Sequence, residues 1–346
     1  MINSTKEEKM ASPIQEILFG SPGTGKSWRI DNDIIPNRLN IDIKNKPQNV
    51  IKAVFHPEYT YGDFIGKLLP ITKGATVKYN YYEGHFLRAL TQAYKNLVDA
   101  EKDGKVADNV VLVIDEINRG NSAAIFGSIF QLLDRDDNGW SSYAISISDM
   151  EFIKILELLN IKITYNDNDS IEIDALRQKL GKHKSFDFGL VNKKIKIPPN
   201  LSILATMNTS DSSIYYMDSA FKRRWDWTFI TPESGTIEKE GIAFHNQEDW
   251  IKFIFQLNTF IKANHKHIRG IEDKQIGQYF IKGNTIKKSC IQNKLMFFIW
   301  DSVFSRDKSP LVKLLHGNQS NNGLVTFGDF AKDVDNFILK IKAFKI

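Results

Sequence analysis

An eight-residue segment near the start of the chain, Gly20–Ser27, constrains the fold more than any other feature. Its sequence, GSPGTGKS, fits the pattern G-x-x-x-x-G-K-[ST] at every fixed position. The apolar run Glu16–Phe19 precedes it and Trp28–Ile30 follows it, an order that predicts a strand, a phosphate-binding loop and the start of a helix. Glycine lets such a loop turn its N–H groups inward, and the helix N-terminus adds positive partial charge. The segment therefore predicts that the chain binds a nucleoside triphosphate.

The loop divides the predicted binding between its backbone and two side chains. The Lys26 ammonium is expected to reach the β- and γ-phosphates, and the Ser27 hydroxyl is expected to hold Mg²⁺. The predicted nucleotide-binding residues are Gly20, Ser21, Pro22, Gly23, Thr24, Gly25, Lys26 and Ser27. The alternative, an ordinary glycine turn before a helix, is weakened by the blocks that follow.

A second block supplies two adjacent carboxylates. Val110–Ile114 is a run of five apolar residues, mostly β-branched, that predicts a strand buried on both faces. Asp115 and Glu116 follow it directly. In phosphate-loop enzymes the first acid supports Mg²⁺ and a neighbouring residue orients the attacking water. The alternative is that both acids cap the next helix.

A third block repeats the pattern of an apolar run that ends in a polar side chain. Leu201–Met207 predicts another buried strand, and it ends at Asn208. An asparagine here is suited to position water beside a γ-phosphate, whereas an asparagine in a capping turn is the alternative. With Val50–Phe55 as a further strand, the pattern predicts an open α/β sheet, whose carboxyl-end edge is the usual binding edge.

Two consecutive arginines, Arg223 and Arg224, lie in the segment Met217–Trp225. Such a pair on a helix is usually a solvated face. The alternative is that one of them supplies an arginine finger to a neighbouring subunit.

The bulk properties are those of an ordinary water-soluble protein. The 346 residues are 42% hydrophobic and 25% charged, and the net charge of +5 permits an anionic partner without requiring one. A single cysteine, Cys290, excludes an internal disulfide framework and suits a reducing compartment. With no secretory signal and no apolar run near the roughly 18 residues of a bilayer crossing, we expect a cytoplasmic protein without a membrane partner.

Composition and periodicity predict three parts. Residues 1–13 are expected to form a flexible N-terminus, residues 14–235 an α/β nucleotide-binding domain, and residues 236–346 a smaller helical lid domain. An insertion at about 149–196 interrupts the nucleotide-binding domain and is rich in lysine. Within it the sequence predicts a helix over Met150–Leu159, a β segment over Ile161–Tyr165 and a second helix near Ile173–Leu180. It either faces DNA or is a solvated excursion.

Three blocks together resemble one family. They are Gly20–Ser27, the DEINR sequence of Asp115–Arg119 and the MNTSDSS sequence of Met207–Ser213. They are similar to the AAA+ motor subunit of McrB-type, methylation-dependent type IV restriction systems, which shows a DEINR box and an MNTADRS signature. The family's ALRRRF-like segment corresponds to Ala220–Trp225, AFKRRW. With weaker matches between these blocks and beyond them, the resemblance covers roughly Ile14–Leu315.

The resemblance implies a hydrolase with an AAA+ αβα domain and a helical lid, assembled as a hexameric ring with its nucleotide site between subunits. It implies Mg²⁺ and GTP or ATP as cofactors, with GTP favoured, and an McrC-like nuclease and DNA as partners, the DNA being reached through the complex. Ser27 and Asp115 are the implied metal ligands. The implied catalytic residues are Glu116, Asn208, Asp211, Arg119, Arg223 and Arg224.

Within that set the implied roles differ. Glu116 orients water, Asn208 and Asp211 form the sensing pair, and Arg119 joins the network behind Glu116. Arg223 or Arg224 acts on the γ-phosphate of the neighbouring subunit.

The chain departs from the family pattern in three ways. Ser212 stands where the family signature has arginine, which weakens the expectation of full hydrolytic activity. The insertion at 149–196 is longer than expected between these motifs. No N-terminal DNA-reading domain is expected, so recognition of modified DNA is assigned to another subunit, the nuclease partner.

Three functions therefore stay in competition. The first is a GTP- or ATP-driven motor that translocates or remodels DNA for a nuclease. The second is a MoxR-like AAA+ chaperone, and the third is a non-hydrolysing, nucleotide-dependent assembly switch. The loop contacts phosphates through its backbone, so it leaves the identity of the base open.

Overall fold

The computed structural model describes residues 12–74, 76–166, 168, 171–208, 215, 217–231, 235–236, 239–281, 283–317 and 324–345. These residues divide into two units. The first contains the described residues up to Ile17 and from Gly25 to Arg224. The second contains Leu18–Thr24 and the described residues from Trp225 onward. The predicted division into domains at 235/236 stays a prediction.

The first unit holds most of the strands. They are β1 (Gln15–Gly20, whose last three residues belong to the second unit), β2 (Val50–Val54), β3 (Gly66–Lys73), β4 (Thr76–Glu83), β5 (Val110–Asp115), β6 (Ile145–Ser146), β7 (Lys194–Ile195) and β8 (Leu201–Asn208). Its helices are α1 (Lys26–Arg29), α2 (Tyr61–Phe64), α3 (His85–Asp103), α4 (Ser122–Phe126), α5 (Asp149–Leu158), α6 (Ile173–Leu180) and α7 (Ser219–Lys222). α1 continues as a π-helical segment, Ile30–Arg38.

The central sheet of this unit has the strand order β1-β8-β5-β2. β5 pairs in parallel with β2 on one side and with β8 on the other, and Ile114 lies opposite Ala205. Val110–Ile114 are buried, as are all residues of β8 before Asn208. This burial explains the continuous apolar runs, because a strand of a parallel sheet is covered on both faces. Parallel strands bring their carboxyl ends to one edge, so the ends of β5 and β8 are neighbours there.

Helix α3 is amphipathic and covers one face of the sheet. Its buried side chains recur at helical spacing, and it contacts β2, β5 and β8. The sequence Val77–Phe86 predicts a hairpin that leads into a helix; the structure places the hairpin earlier, with β3 and β4 paired from Gly66 to Glu83. Apolar side chains at helical spacing predict a further helix over Ala123–Leu133, which is only partly present. α4 ends at Gly127, whose φ of 49° leaves the α region, and a 3₁₀ segment continues to Leu133.

The insertion contains the two predicted helices, α5 and α6. The predicted β segment at Ile161–Tyr165 is wrong. Tyr165 makes one isolated bridge to Ile171, and the segment has no buried side chain to fix it in a sheet. Tyr94 and Glu101 of α3 both bind the insertion. The Tyr94 hydroxyl donates to Lys196 O at 2.5 Å, and Glu101 Oε1 accepts from Ser185 N at 2.8 Å.

The second unit is mainly helical. Its strands are β9 (Asp226–Thr231), β10 (Gly235–Thr236), β11 (Ile242–Phe244) and β12 (Ile286–Lys287). Its helices are α8 (Gln247–Ala263), α9 (Lys288–Cys290), α10 (Ser309–His316), α11 (Phe327–Lys332) and α12 (Val334–Lys342), and α9 is followed by the π-helical segments Ile291–Met296 and Ile299–Val303.

Aromatic side chains form the core of the second unit. Phe19, at the end of β1, packs against Trp227, Phe229, Phe297 and Phe327, with ring centroids 4.1 to 5.6 Å apart. Pairs of this kind contribute roughly 0.5–1.5 kcal/mol each beyond the area that they bury. The core therefore fixes the residue that directly precedes the glycine-rich loop.

Candidate nucleotide-binding site

The first part of the glycine-rich loop, Gly20–Thr24, belongs to the second unit. Gly20 has a φ of +152°, and a Cβ there would lie 2.2 Å from the carbonyl oxygen of Ile230 in β9. No other residue fits this position, because the clash is with backbone. Thr24 Oγ1 donates to Ser21 O at 3.0 Å and closes the loop on itself. The loop is therefore fixed by its own backbone and by β9.

The second part of the loop, Gly25–Ser27, belongs to the first unit and starts α1. Gly25 has a φ of +83°, no atom lies within 4 Å of the position that its Cβ would take, and its carbonyl accepts from Arg29 N at 2.9 Å. Lys26 is buried, and burial lowers the pKa of its ammonium although the charge of Glu116 raises that pKa. A cation in this environment gains from a bound anion, because the anion replaces the lost hydration.

Asp115, at the end of β5, joins Ser27 to the sheet. Its Oδ1 accepts from Ser27 Oγ at 3.2 Å and from Thr206 Oγ1 at 2.9 Å. A hydroxyl and a carboxylate oxygen side by side are ligands that Mg²⁺ prefers, so these residues fit that ion. Ser27 and Asp115 would hold it, and Thr206 would fix the carboxylate.

Glu116 is held in place by β8. Its Oε1 accepts from Asn208 Nδ2 at 2.5 Å, and its backbone N–H donates to Thr206 Oγ1 at 3.1 Å. The residue has a φ of 57°, a left-handed conformation that costs a residue with a side chain about 1–3 kcal/mol and persists only when its surroundings impose it. Thr206 and Asn208 supply that constraint. The structure thus brings together the four predicted residues Ser27, Asp115, Glu116 and Asn208 as two linked pairs.

Thr206 and Asn118 are two site residues that sequence reasoning missed. Thr206 bridges both carboxylate residues through one hydroxyl. Asn118 is only 1% exposed, and its Nδ2 donates to Asn208 O at 2.8 Å, which ties the turn after β5 to the end of β8. The available signals were a threonine two residues before Asn208 in a mostly apolar strand and the asparagine of the DEINR block.

Arg119 and Asp211 are the other two predicted catalytic residues before the arginine pair. The Arg119 side chain is exposed, and its backbone N–H donates to Glu116 O at 2.8 Å, so the residue closes the turn that carries Glu116. Asp211 lies outside the described residues, as does Ser212. The pairing of Asn208 with Asp211 therefore stays a prediction.

The two consecutive arginines have opposite environments. The Arg224 side chain is 11% exposed, its Nη2 lies 2.8 Å from Asp134 Oδ2, and its guanidinium carbon is 3.9 Å from the ring centroid of Phe130. Arg223 is exposed, and within the described part of the chain its guanidinium has no hydrogen-bond or ion-pair partner. Arg224 is therefore engaged within its own chain, whereas the Arg223 side chain is exposed.

A clustered metal site and a membrane-spanning helix are both absent from the described residues. No group of three or more His, Cys, Asp and Glu side chains there is arranged to hold a metal ion. No helix in the same residues has both the length and the apolar character needed to span a bilayer.

Comparison with known proteins places this site in a family. A model described as "AAA domain (dynein-related subfamily)" matches residues 16–225. The chain is 27% identical over 331 residues to YdiS, a component of the type II restriction enzyme BsuMI of Bacillus subtilis (strain 168). That match covers 88% of this chain and 83% of YdiS. The chain is also 27% identical over 218 residues to the EcoKMcrB subunit of the type IV methyl-directed restriction enzyme of Escherichia coli (strain K12). That match covers 62% of this chain and 35% of the McrB subunit.

These matches confirm the predicted fold class and the resemblance to McrB-type subunits. The family model includes the loop, both carboxylates, Asn208 and both arginines, and it ends close to the end of the first unit. The chain belongs to the dynein-related subfamily of AAA domains and is related to the McrB-type AAA+ subunits of restriction systems.

Proposed function

We propose that this chain is the motor subunit of a restriction complex. It hydrolyses GTP or ATP in a homo-oligomeric ring and thereby drives translocation or remodelling of DNA for an McrC-like nuclease. The observation that carries the proposal is the hydrogen bond from Asn208 to Glu116, because it holds a carboxylate ready at the strand end beside Asp115. Glu116 also has a left-handed backbone conformation, and residues held in this way cluster at functional sites.

Each residue of the site has a task in this reaction. When bound, the Mg²⁺ nucleotide supplies the phosphoryl group that water attacks. Gly20–Ser27 binds the phosphates, with the Lys26 ammonium as the cation, and Ser27 and Asp115 hold the metal. Glu116 accepts a hydrogen bond from the attacking water and orients it. Asn208 fixes Glu116, and Thr206 fixes both carboxylate residues.

The exposed Arg223 is proposed to complete the site of a neighbouring subunit. A cation supplied in trans stabilises the charge that spreads over the transferred phosphoryl group, and such fingers contribute roughly 10³- to 10⁵-fold in other phosphate-loop enzymes. Arg224 is excluded from this task by its contacts with Asp134 and Phe130. The proposal therefore selects one of the two arginines.

The partners are proposed from the relatives. One relative is a component and the other a subunit of restriction enzymes, so each works with other chains. We propose that this chain likewise works with a nuclease subunit and reaches DNA through the assembled complex. The lysine-rich insertion and the choice of GTP or ATP stay open within this proposal.

The test is a side-by-side measurement of phosphate release from GTP and from ATP, with and without an added McrC-like nuclease subunit. We expect hydrolysis of one purine nucleotide, acceleration by the nuclease, and a loss of roughly 10²- to 10⁴-fold in the Glu116→Gln variant. Glu248→Gln, which alters an exposed carboxylate of α8, is the matched control and should leave the rate unchanged. Turnover that survives Glu116→Gln would contradict the proposal.

A further inference from the structure

The side chain of Gln15, at the first position of β1, connects three segments that are distant in sequence. Its Nε2 donates to Leu133 O at 2.8 Å and to Arg224 O at 2.6 Å. Its Oε1 lies 3.5 Å from Arg135 Nε, which points toward it. One amide group thus binds the start of β1 to the end of the 3₁₀ segment after α4 and to the turn that carries the two arginines.

Arg135 extends this connection to the entry of β8. Its Nη1 donates to Gly139 O at 2.9 Å and to Pro198 O at 3.0 Å, and its Nη2 donates to Leu201 O at 2.8 Å. A planar guanidinium that binds several fixed carbonyls is held in one orientation. The Gln15 side chain therefore contacts a guanidinium whose own orientation is fixed.

The turn of Arg223 and Arg224 is held from two directions. Gln15 holds the carbonyl of Arg224, and the Asp134 carboxylate holds its guanidinium through Nε at 3.0 Å and Nη2 at 2.8 Å. Asp134 and Arg135 are consecutive, so the residue that binds the Arg224 guanidinium and the residue that supports Gln15 come from one short segment. Arg223 has no such support for its own side chain within the described residues, so its aim depends on the backbone of this turn.

We propose that Gln15 is a positioning residue for Arg223, which makes the reaction in one subunit depend on a hydrogen bond inside its neighbour. This inference rests on the proposed function, in which Arg223 acts in trans. A misplacement of about 1 Å in a group that contacts the reacting atoms costs on the order of 10²-fold in rate, so the anchoring of its turn has a measurable consequence.

The experiment uses rings mixed from two variants of the full chain. Subunits with Arg223→Ala keep their own nucleotide site and lack the finger. Subunits with Glu116→Gln cannot hydrolyse their own nucleotide and still present Arg223. Each variant alone is expected to be inactive, and the mixture should release phosphate at interfaces where a Glu116→Gln subunit faces the site of an Arg223→Ala subunit.

Gln15→Leu is then added to one subunit type at a time. If Gln15 positions Arg223, Gln15→Leu on the Glu116→Gln subunit should lower the rate of the mixture roughly 10- to 100-fold. The same change on the Arg223→Ala subunit should leave the rate within about twofold of the parent mixture. A purely structural role in β1, which leads to that subunit's own loop, predicts the opposite pattern.

Gln92→Leu is the matched control. Gln92 is also partly buried, and its Nε2 donates to Asn96 Oδ1 at 2.8 Å within α3, so its loss removes a comparable hydrogen bond away from the arginines. It should have no effect on either subunit type. Gln15→Leu that acts equally on both subunit types, or on neither, would overturn the inference alone. A parent mixture without activity would overturn the role of Arg223 in trans and the inference with it.

Discussion

The amide of Asn208 donates to the carboxylate of Glu116, with Nδ2 2.5 Å from Oε1. The two residues are 92 positions apart and meet because β5 and β8 are neighbouring parallel strands that end at the same edge. In the proposed reaction, Asn208 therefore acts through Glu116.

We predict that Asn208→Ala lowers the rate of hydrolysis and leaves nucleotide affinity nearly unchanged. Loss of a hydrogen bond to a charged group costs about 1.5–3 kcal/mol, which corresponds to roughly a 10- to 100-fold lower kcat. Single-turnover phosphate release and the binding of a non-hydrolysable nucleotide would measure the two effects separately. A large loss of affinity with an unchanged kcat would show that Asn208 contacts the nucleotide instead.

Thr206→Val tests the hydroxyl that joins the two carboxylate residues. Valine has nearly the same shape and leaves Glu116 N–H and Asp115 Oδ1 without this partner, so we expect a loss of about 1–3 kcal/mol in the free energy of unfolding. We also expect hydrolysis to require more Mg²⁺. Urea unfolding without nucleotide and a Mg²⁺ titration of the rate check the two outcomes. Thr91→Val is the control, because the Thr91 hydroxyl donates only to Leu87 O within α3.

The paired substitutions Arg224→Ala and Arg223→Ala should separate stability from catalysis. Arg224→Ala leaves Asp134 without its partner and removes the packing on Phe130, and we expect it to lower the free energy of unfolding by about 2–3 kcal/mol. Arg223→Ala should change that free energy by less than about 0.5 kcal/mol, because its side chain is exposed. Urea denaturation compares them. Equal destabilisation by both substitutions would contradict the assigned difference.

We predict that nucleotide affinity falls at alkaline pH because the Lys26 ammonium loses its proton. Burial lowers the pKa of its ammonium, and the charge of Glu116 opposes this effect. Bound phosphates would raise the pKa again, so the bound state keeps the proton to a higher pH than the free protein does. Affinity should therefore be greatest below the lowered pKa of the free protein and should fall as pH rises from that value toward the pKa of the complex.

Equilibrium titration with a fluorescent, non-hydrolysable nucleotide over a series of pH values measures this dependence. Lys26→Met should bind more weakly at every pH and lose the alkaline decline. An affinity of the unaltered protein that rises through the alkaline range would contradict the assignment.

Gly20→Ala should be far more damaging than another substitution at a glycine with positive φ. A Cβ at Gly20 would lie 2.2 Å from Ile230 O, so β9 or the loop must move, and we expect a loss of at least about 3 kcal/mol together with loss of nucleotide binding. Gly104→Ala is the matched control. Gly104 has a φ of +63° with no atom within 4 Å of the added carbon, so only the backbone conformation costs, about 1 kcal/mol. Thermal unfolding with and without nucleotide compares the two variants.

The family and the four paired site residues were predictable because their signals are local. Gly20–Ser27 is one contiguous pattern, and Asp115, Glu116 and Asn208 each stand at the end of an apolar run. Parallel strands bring such ends together without any knowledge of the side chains between them. The wrong prediction of a β segment at Ile161–Tyr165 shows the limit of this reasoning, since alternating apolar residues form a strand only where a partner buries them.

The phosphate loop, the two acidic positions and the class of fold could be predicted from the sequence alone. Each depends on a local spacing that indicates a strand, a turn or the start of a helix. Three contacts are visible only in the folded chain. Thr206 joins the two carboxylate residues, Arg224 binds Asp134 while Arg223 is exposed, and Gln15 donates to the Arg224 carbonyl. Gln15 and Arg224 are 209 positions apart. Hydrogen bonds at that separation depend on which strands are neighbours and on how each side chain is packed. A local sequence pattern predicts neither property.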